Sequence, residues 1–469
     1  MRRKLLDSPW TFAVPALLLA WVALWASVDL RVPGRNWGGV DDLRELRERD
    51  DVNLVFILID TLRADRLGSY GYERPTSRFL DRLAEGGVRF ARVEAASSWT
   101  KCSMASLWTG LNPVRTGILR FNQALPDQAL MPAEILRDAG FATIGIYRNG
   151  WVGPNFGFSQ GFEDYLKPGH IGDSKGIERR PGAHLIGTDE GVTRSALAFL
   201  DSSGHERFML YLHYMDVHQY AYDSVAANEG FGTGYRDNYD SSLHWVDRNV
   251  GVVLEALEKR DLRRRTVVVV SSDHGEEFKE HGLDGHARTL YTEVTHVPWL
   301  ISLPFQLPVS AVVESVVRNV DIWPTLLDLF GLPGLPDADG RSLVPEIEAT
   351  IEGTRAAGSP PAISYLDLNW GKPDSEPNPL VGIRYEGRSV IIAPQVESAP
   401  LVGAFDMAAD PDEQSNLATE GAVLPDWVGA LDGQARSSID QTPPWGEVPE
   451  VELDELSRTQ LKALGYVID

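Results

Sequence analysis

Four short runs of mostly branched, apolar residues constrain this chain more than any other feature. They are VNLVFILID (52–60), FATIGIY (141–147), RFMLYLH (207–213) and RTVVVVSSD (265–273). Runs of this kind read as strands buried on both faces. Segments of helical periodicity lie between them, among them SRFLDRLAEGG and YDSSLHWVDRNVGVVLEALEKR. Strands alternating with helices imply an α/β chain whose mostly parallel, doubly wound sheet is covered on both sides. Ligands of such sheets bind beyond the carboxyl ends of the strands. Those ends carry Asp60, Asn149, His213 with Asp216 and His218, and Asp273 with His274.

The length of 469 residues fits one large domain and a smaller one. A formal net charge of −23 argues against nucleic acid as a partner, since such binding needs basic surface to displace phosphate counterions. The single cysteine excludes an intrachain disulfide. No charged residue occurs from Trp10 to Val28, and Arg2, Arg3 and Lys4 precede that run. This pattern predicts an uncleaved transmembrane helix with its N-terminus in the cytoplasm and the rest of the chain periplasmic or extracellular. The expected organisation is a membrane anchor at 1–30, a polar juxtamembrane linker at 31–50, a catalytic domain at 51–352 and a small α+β subdomain at 353–469. The last rests on LVGIRYEG, RSVIIAP and LVGAFDM, which suggest a small antiparallel sheet, and on the tail ELSRTQLKALGYVID, which suggests a short helix.

Six segments carry a family resemblance in a specific order and spacing. They are LVFILIDTLRADRLGSYGY, SSWTKCSMASLWTGLNPVRTGI, VVVVSSDHGEEFKEHGLDGHARTLYTEVTHVPWLI, VDIWPTLLDLFGLP, FDMAADPDEQSNLA and LKALGYV. Together they resemble the sulfatase-like branch of the alkaline phosphatase superfamily, from about Val52 to the C-terminus. The resemblance implies an α/β/α sandwich, a divalent metal and a nucleophile at the start of a helix. True sulfatases of the family carry a cysteine or serine that is oxidised to formylglycine. Proline or alanine follows it at the second position and arginine at the fourth, with a Thr-Gly pair ending ten residues downstream. Counting back from Gly110 by that spacing reaches Thr100. Cys102 fails the same test, because Met104 and Ser106 occupy its second and fourth following positions. Cys102 stands where the family often has proline and reads as a small buried side chain. A threonine at the nucleophile position resembles the phosphodiesterase, phosphonohydrolase and phosphotransferase branches.

A threonine hydroxyl needs metal coordination or a neighbouring base to become nucleophilic. A helix start adds backbone N–H groups for an anionic substrate, although threonine is also a common N-cap there. By resemblance the metal ligands are Asp60, Asp273 and His274, with Thr100 closing the set. Carboxylates, an imidazole and an alkoxide suit one Zn²⁺ or Mn²⁺. Thr61 replaces a second aspartate and His274 an asparagine of sulfatase calcium sites, which shifts the expectation away from Ca²⁺ and leaves Ca²⁺ and Mg²⁺ as the less favoured alternatives. His218, in an Asp-x-His segment, and His286, where sulfatases often carry lysine, are expected to stabilise charge and protonate the leaving oxygen. Asn122 is expected to hydrogen-bond a substrate oxygen, and Lys101 to be exposed. A second metal at Asp216, His218 and His286 is the less favoured alternative. His213, His281 and His296 are expected to support the site or the structure, Asp247 and His244 to pack or cap. Residues 150–200 are expected to shape the leaving-group pocket.

The functional expectation is a membrane-anchored hydrolase or transferase acting on phosphate or sulfate esters through a covalent phospho-enzyme on Thr100. Lipid head groups and envelope glycans are the substrates such an anchor would place within reach. The rivals are a sulfatase working without formylglycine, a phosphoethanolamine-type envelope phosphotransferase, and a catalytically dead scaffold of the same fold. The sequence leaves the oligomeric state open.

Overall fold

β1 (Asn53–Ile59) is buried along its whole length, and its side chains divide between two cores. Leu54, Phe56 and Leu58 join one hydrophobic cluster, while Val55, Ile57 and Ile59 join the other. A strand with two dry faces is what its unbroken apolar run requires. The structure is a computed structural model that describes residues 35–168, 189–218, 220, 230–354, 358–395, 401–419 and 421–453. After β1 come β2 (Val88–Glu94), β3 (Ala142–Ile146), β4 (Asp164–Leu166), β5 (Phe208–Tyr214) and β6 (Thr266–Ser271). They are followed by β7 (Glu277–Phe278), β8 (Asp284–Gly285), β9 (His296–Val297), β10 (Trp299–Ser302) and β11 (Ala311–Arg318). β7 and β8 pair with each other, and the rest form one sheet in the order β11-β2-β10-β6-β1-β5-β3-β4, with β9 on β2. β1 runs parallel to β5 and β6, β3 to β4 and β5, and β2 to β11. β10 is antiparallel to both its neighbours. The mostly parallel sheet expected from the sequence is present, with helices on both faces.

One face is covered by helices Thr100–Thr109 and Ile322–Leu329. Trp108 stacks on Trp323 at 4.8 Å, and both rings lie against Phe56. Truncating a tryptophan so enclosed typically costs about 3–5 kcal/mol. The other face is covered by helices Arg78–Ala84, Asp189–Ser202 and Tyr235–Lys259.

β12 (Ala362–Asp367), β13 (Pro379–Tyr385), β14 (Arg388–Ile392) and β15 (Leu401–Asp406) form the small antiparallel sheet. Helix Asp426–Ile439 packs on it. This sheet is bound to the body: Tyr365 N donates to Ala96 O at 2.8 Å and Ser364 Oγ to Ala95 O at 2.6 Å. Buried Arg384 bridges Glu413 at 3.0 Å and Glu94 at 3.5 Å. Residues from Asn36 onward accordingly form one compact unit.

The linker expected at 31–50 does not extend to residue 50. Val40–Glu45 is a helix, followed by a tight turn at Leu46–Glu48. Leu43 and Leu46 are each only 1% exposed, and Arg44 bridges Glu348 at 3.2 Å. Two leucines three residues apart are too thin a stripe to read within a charged segment. The expected anchor at 1–30, the first residues of the linker, part of the 150–200 region and most of the tail helix lie outside the described residues. Among the described residues no helix is long and apolar enough to cross a membrane.

Candidate active site

The carboxyl ends of β1 and β6 bring Asp60, Asp273 and His274 together, all fully buried. They are adjacent because β1 and β6 pair in register, Leu58 opposite Ser271. Each residue offers one ligand atom, and those atoms lie within 4.8 Å of one another. His274 Nε2 is 3.3 Å from Asp273 Oδ2 and 3.9 Å from Asp60 Oδ1. Neither of these two carboxylate oxygens has a hydrogen-bond partner. A buried carboxylate oxygen without a partner is costly. Two of them beside one imidazole fit a divalent cation, which would satisfy both. His274 Nδ1 is 2.9 Å from Gly275 O, an acceptor only. That nitrogen therefore carries a proton, and Nε2 faces the carboxylates. Burial would lower the His274 pKa, but the charges of Asp273 and Asp60 raise it, so a cation at Nε2 would take the place of a proton.

Thr100 opens helix Thr100–Thr109, which follows β2. Its Oγ1 lies 3.2 Å from His274 Nε2. The hydroxyl predicted as nucleophile and the predicted ligands thus meet at one point. Asn149, at the end of β3, completes the group: its Nδ2 donates to Asp60 Oδ2 at 2.7 Å and to Thr100 Oγ1 at 3.4 Å. Asn149 stood among the strand-end residues, but nothing in the sequence tied it to Thr100. His213 Nε2 donates to the same Asp60 oxygen at 3.2 Å, which leaves its Nδ1 to accept from Tyr211 OH at 3.0 Å.

Burial alone would raise the Asp60 carboxyl, but the imidazoles of His218, His213 and His274 outweigh it and hold the pKa well below the ordinary value. Asp273 goes the other way, pushed up to about 6 by burial and by the Asp60 charge. The turn between Asp60 and Leu62 is strained. Thr61 has φ 59°, which a β-branched residue rarely adopts. Its N–H donates to Asp273 Oδ1 at 3.3 Å and its carbonyl accepts from Tyr239 OH at 2.7 Å. The strain therefore lies where β1 hands its aspartate to the site.

His218 and His286 lie beside this group. The His286 ring is 4.5 Å from His274 and 4.8 Å from His218. Burial lowers the His218 pKa to about 4 against the pull of Asp60, and lowers His286 well below its ordinary value. Both rings therefore favour the neutral form in this site. Glu276 Oε2 holds His286 Nδ1 at 2.8 Å. Glu276 was visible in the Asp-His-Gly-Glu motif, but its orienting role needs the fold to bring residue 286 back.

Asn122 has a buried Oδ1 with no hydrogen-bond partner and lines a cavity of about 260 Å³ with Arg120, Gln123, Tyr365 and Asp367. Two expectations are corrected. Asp216 does not join His218 and His286 as a ligand set, and the one candidate metal group among the described residues excludes it. Its Oδ2 accepts from Asp189 N at 3.1 Å and Trp245 Nε1 at 3.0 Å. Lys101 is fully buried rather than exposed. Its Nζ donates to Phe121 O at 2.5 Å and Gln123 O at 2.6 Å, and lies 4.0 Å from the Phe156 ring centre.

The remaining candidates have structural partners. Cys102 is buried, its thiol pushed up to about 12 by desolvation, and therefore inert. His281 bonds Glu293 at 2.6 Å, and His296 lies 3.2 Å from Ala91 O. Asp247 accepts from Phe79 N and Leu80 N, capping a helix start, and His244 packs on Phe231.

The Sulfatase family matches residues 52–332, more than half of the chain. The chain belongs to the sulfatase family. This family lies in the alkaline phosphatase-like superfamily, and its members are metal-using ester hydrolases, so the protein is an ester hydrolase. A delta 4,5-hexuronate-2-O-sulfatase of Bacteroides thetaiotaomicron is 23% identical over 428 residues, covering 78% of this chain and 85% of its own. An arylsulfatase of Hemicentrotus pulcherrimus is 25% identical over 358 residues, covering 66% and 63%. Arylsulfatase K of Gallus gallus is 31% identical over 200 residues, 41% of this chain and 35% of that one. Among solved structures, the phosphonate monoester hydrolase of Agrobacterium radiobacter superposes with a TM-score of 0.66 at 19% identity, covering 83% of this chain and 95% of its own. A 2-O glycosaminoglycan sulfatase gives a TM-score of 0.64 at 19% identity, covering 89% and 94%. These two likenesses establish the shared fold.

Proposed function

We propose that this sulfatase-family hydrolase cleaves phosphate esters through Thr100 as a covalent nucleophile. The observation that carries the reading is the 3.2 Å between Thr100 Oγ1 and His274 Nε2, beside two carboxylate oxygens that lack partners. One divalent cation held by Asp60, Asp273, His274 and the Thr100 oxygen, zinc or manganese by its donor set, would lower the hydroxyl pKa and neutralise the ester oxygens. Asn149 orients both the hydroxyl and Asp60. The anionic ester draws a proton toward the two neutral imidazoles, so His218 or His286 takes up the proton that Thr100 releases. The Thr100 oxygen then bonds to phosphorus as the bond to the leaving oxygen breaks, and the same imidazole returns the proton to that oxygen. Water, or an acceptor hydroxyl, releases the phosphoryl group from Thr100.

The relatives favour a second reading, a sulfate ester as substrate, with the threonine hydroxyl in place of formylglycine. Assays with aryl sulfate, phosphate monoester and phosphate diester separate the two. Under the first reading a phosphate ester turns over fastest, and protein quenched during turnover of a phosphorus-labelled ester carries the label on the peptide containing Thr100. Preference for aryl sulfate with no phosphate adduct favours the second.

We also infer that residues 10–28 anchor the chain in a membrane, with the hydrolase outside the cytoplasm. The charge-free run and the three preceding basic residues support this. The substrate names of the relatives favour a glycan ester over a lipid head group. The full chain is expected to stay with membranes through an alkaline wash, whereas a chain beginning at Asn36 is released. Release of both forms refutes the anchor.

A further inference from the structure

β3 and β4 run parallel at one edge of the sheet, with Ile146 opposite Leu166. Both therefore end at the pole that carries Asp60 and Asp273. Each continues into a cation, Arg148 after β3 and Lys167 after β4. Arg148 directly precedes Asn149, whose side chain touches both Thr100 and Asp60. Arg148 is half-buried, and its Nε is enclosed with no hydrogen-bond partner. Lys167 at the neighbouring strand end is exposed.

Among the described residues, the acids whose charges act on Arg148 are Asp189 and Asp216, and both have other partners. Asp189 accepts from the N–H groups of Met215 and Asp216 at 2.8–2.9 Å. Asp216 accepts from Asp189 N and Trp245 Nε1. Burial, followed by the Asp216 charge, raises the Asp189 pKa well above its ordinary value. Burial lowers the Arg148 pKa; Lys167 reaches solvent, yet crowding by the surrounding chain and then the Arg148 charge lower its pKa. Two cations set side by side repel each other, and a guanidinium short of partners binds carboxylate or sulfate well.

We propose that Arg148 and Lys167 form an anion subsite beside the nucleophile, and that the substrate is an ester whose alcohol portion carries a second negative group. This deepens, and rests on, the Thr100 reading. The subsite selects a polyanionic glycan ester over a singly charged one.

The test is a pair of aryl esters of the group the enzyme transfers, alike except for a ring carboxylate on one. Wild-type kcat/KM is expected to be ten- to a hundredfold higher for the carboxylated ester, mostly through KM, with the ratio shrinking as salt rises. Arg148→Gln is expected to bring the ratio to about one, Arg148→Lys to restore part of it, and Lys167→Gln to lower it severalfold. Absence of carboxylate preference in the wild type overturns the inference while leaving Thr100 as nucleophile. So does an Arg148→Gln variant in which both rates fall together and the ratio survives, because the guanidinium then only supports Asp189 and Asp216. Should Arg148→Gln fail to fold, an unaltered ratio in Lys167→Gln, with no salt dependence in the wild type, overturns it equally. Failure of both esters to turn over refutes the Thr100 reading and takes this inference with it.

Discussion

Thr100→Ala is expected to lower kcat/KM by roughly 10⁴–10⁶-fold, the range seen when an enzyme loses the nucleophile that bonds to substrate. The rest of the site should survive the change. Asp60, Asp273 and His274 come from β1 and β6, not from the nucleophile helix, so metal content is expected to stay near one per chain. The variant loses the contacts of Oγ1 with His274 and Asn149, about 1 kcal/mol of stability for a hydrogen bond of this kind. Thr100→Ser keeps the oxygen but frees its rotation, and a loss of about 10²-fold from misplacement is expected. Turnover numbers, metal analysis and melting curves on the three proteins decide the matter. An alanine variant that keeps more than a few per cent of wild-type turnover rules out Thr100 as the nucleophile.

Asp273→Asn is expected to move stability in opposite directions with and without metal. In the chelated wild type, Asp60 and Asp273 face each other fully buried, each with one oxygen that lacks a partner. Asparagine removes one of the two like charges and can still accept from Thr61 N. The chelated variant should therefore melt above the chelated wild type, by on the order of 2 °C per kcal/mol for a chain of this size. With metal the order reverses, because a ligand charge is gone. Metal affinity is expected to fall by more than the 10–100-fold typical of an outer-shell partner, and turnover with it. Melting temperatures with chelator and with added zinc or manganese give the four values needed. If Asp273→Asn destabilises both states equally, the aspartate is a structural residue and the metal site lies elsewhere.

The strands were legible because burial on both faces leaves an unbroken apolar run, as in Val267–Val270. The candidate ligands were legible because a parallel sheet delivers the residues after its strands to one pole, and Asp60 and Asp273–His274 stand there. What escaped notice depends on contacts between distant segments. Lys101 was expected in solvent because its amine is costly to bury. Only the carbonyls of Phe121 and Gln123, twenty residues on, make that burial possible. Asn149 gained its role from a partner 49 residues away on another strand connection. The helix Asp426–Ile439 also passed unnoticed, its apolar side being only Val428, Leu431 and Ala435.

The order of strands in the sheet divides labour along its width. The central pair, β1 and β6, carries the charge-bearing trio inside a dry scaffold where substitution is costly. The pair at one edge, β3 and β4, ends in cations, and β5 stands between. Under the proposed subsite, exchanging the margin changes which ester is taken while leaving the middle, with its candidate metal group, undisturbed.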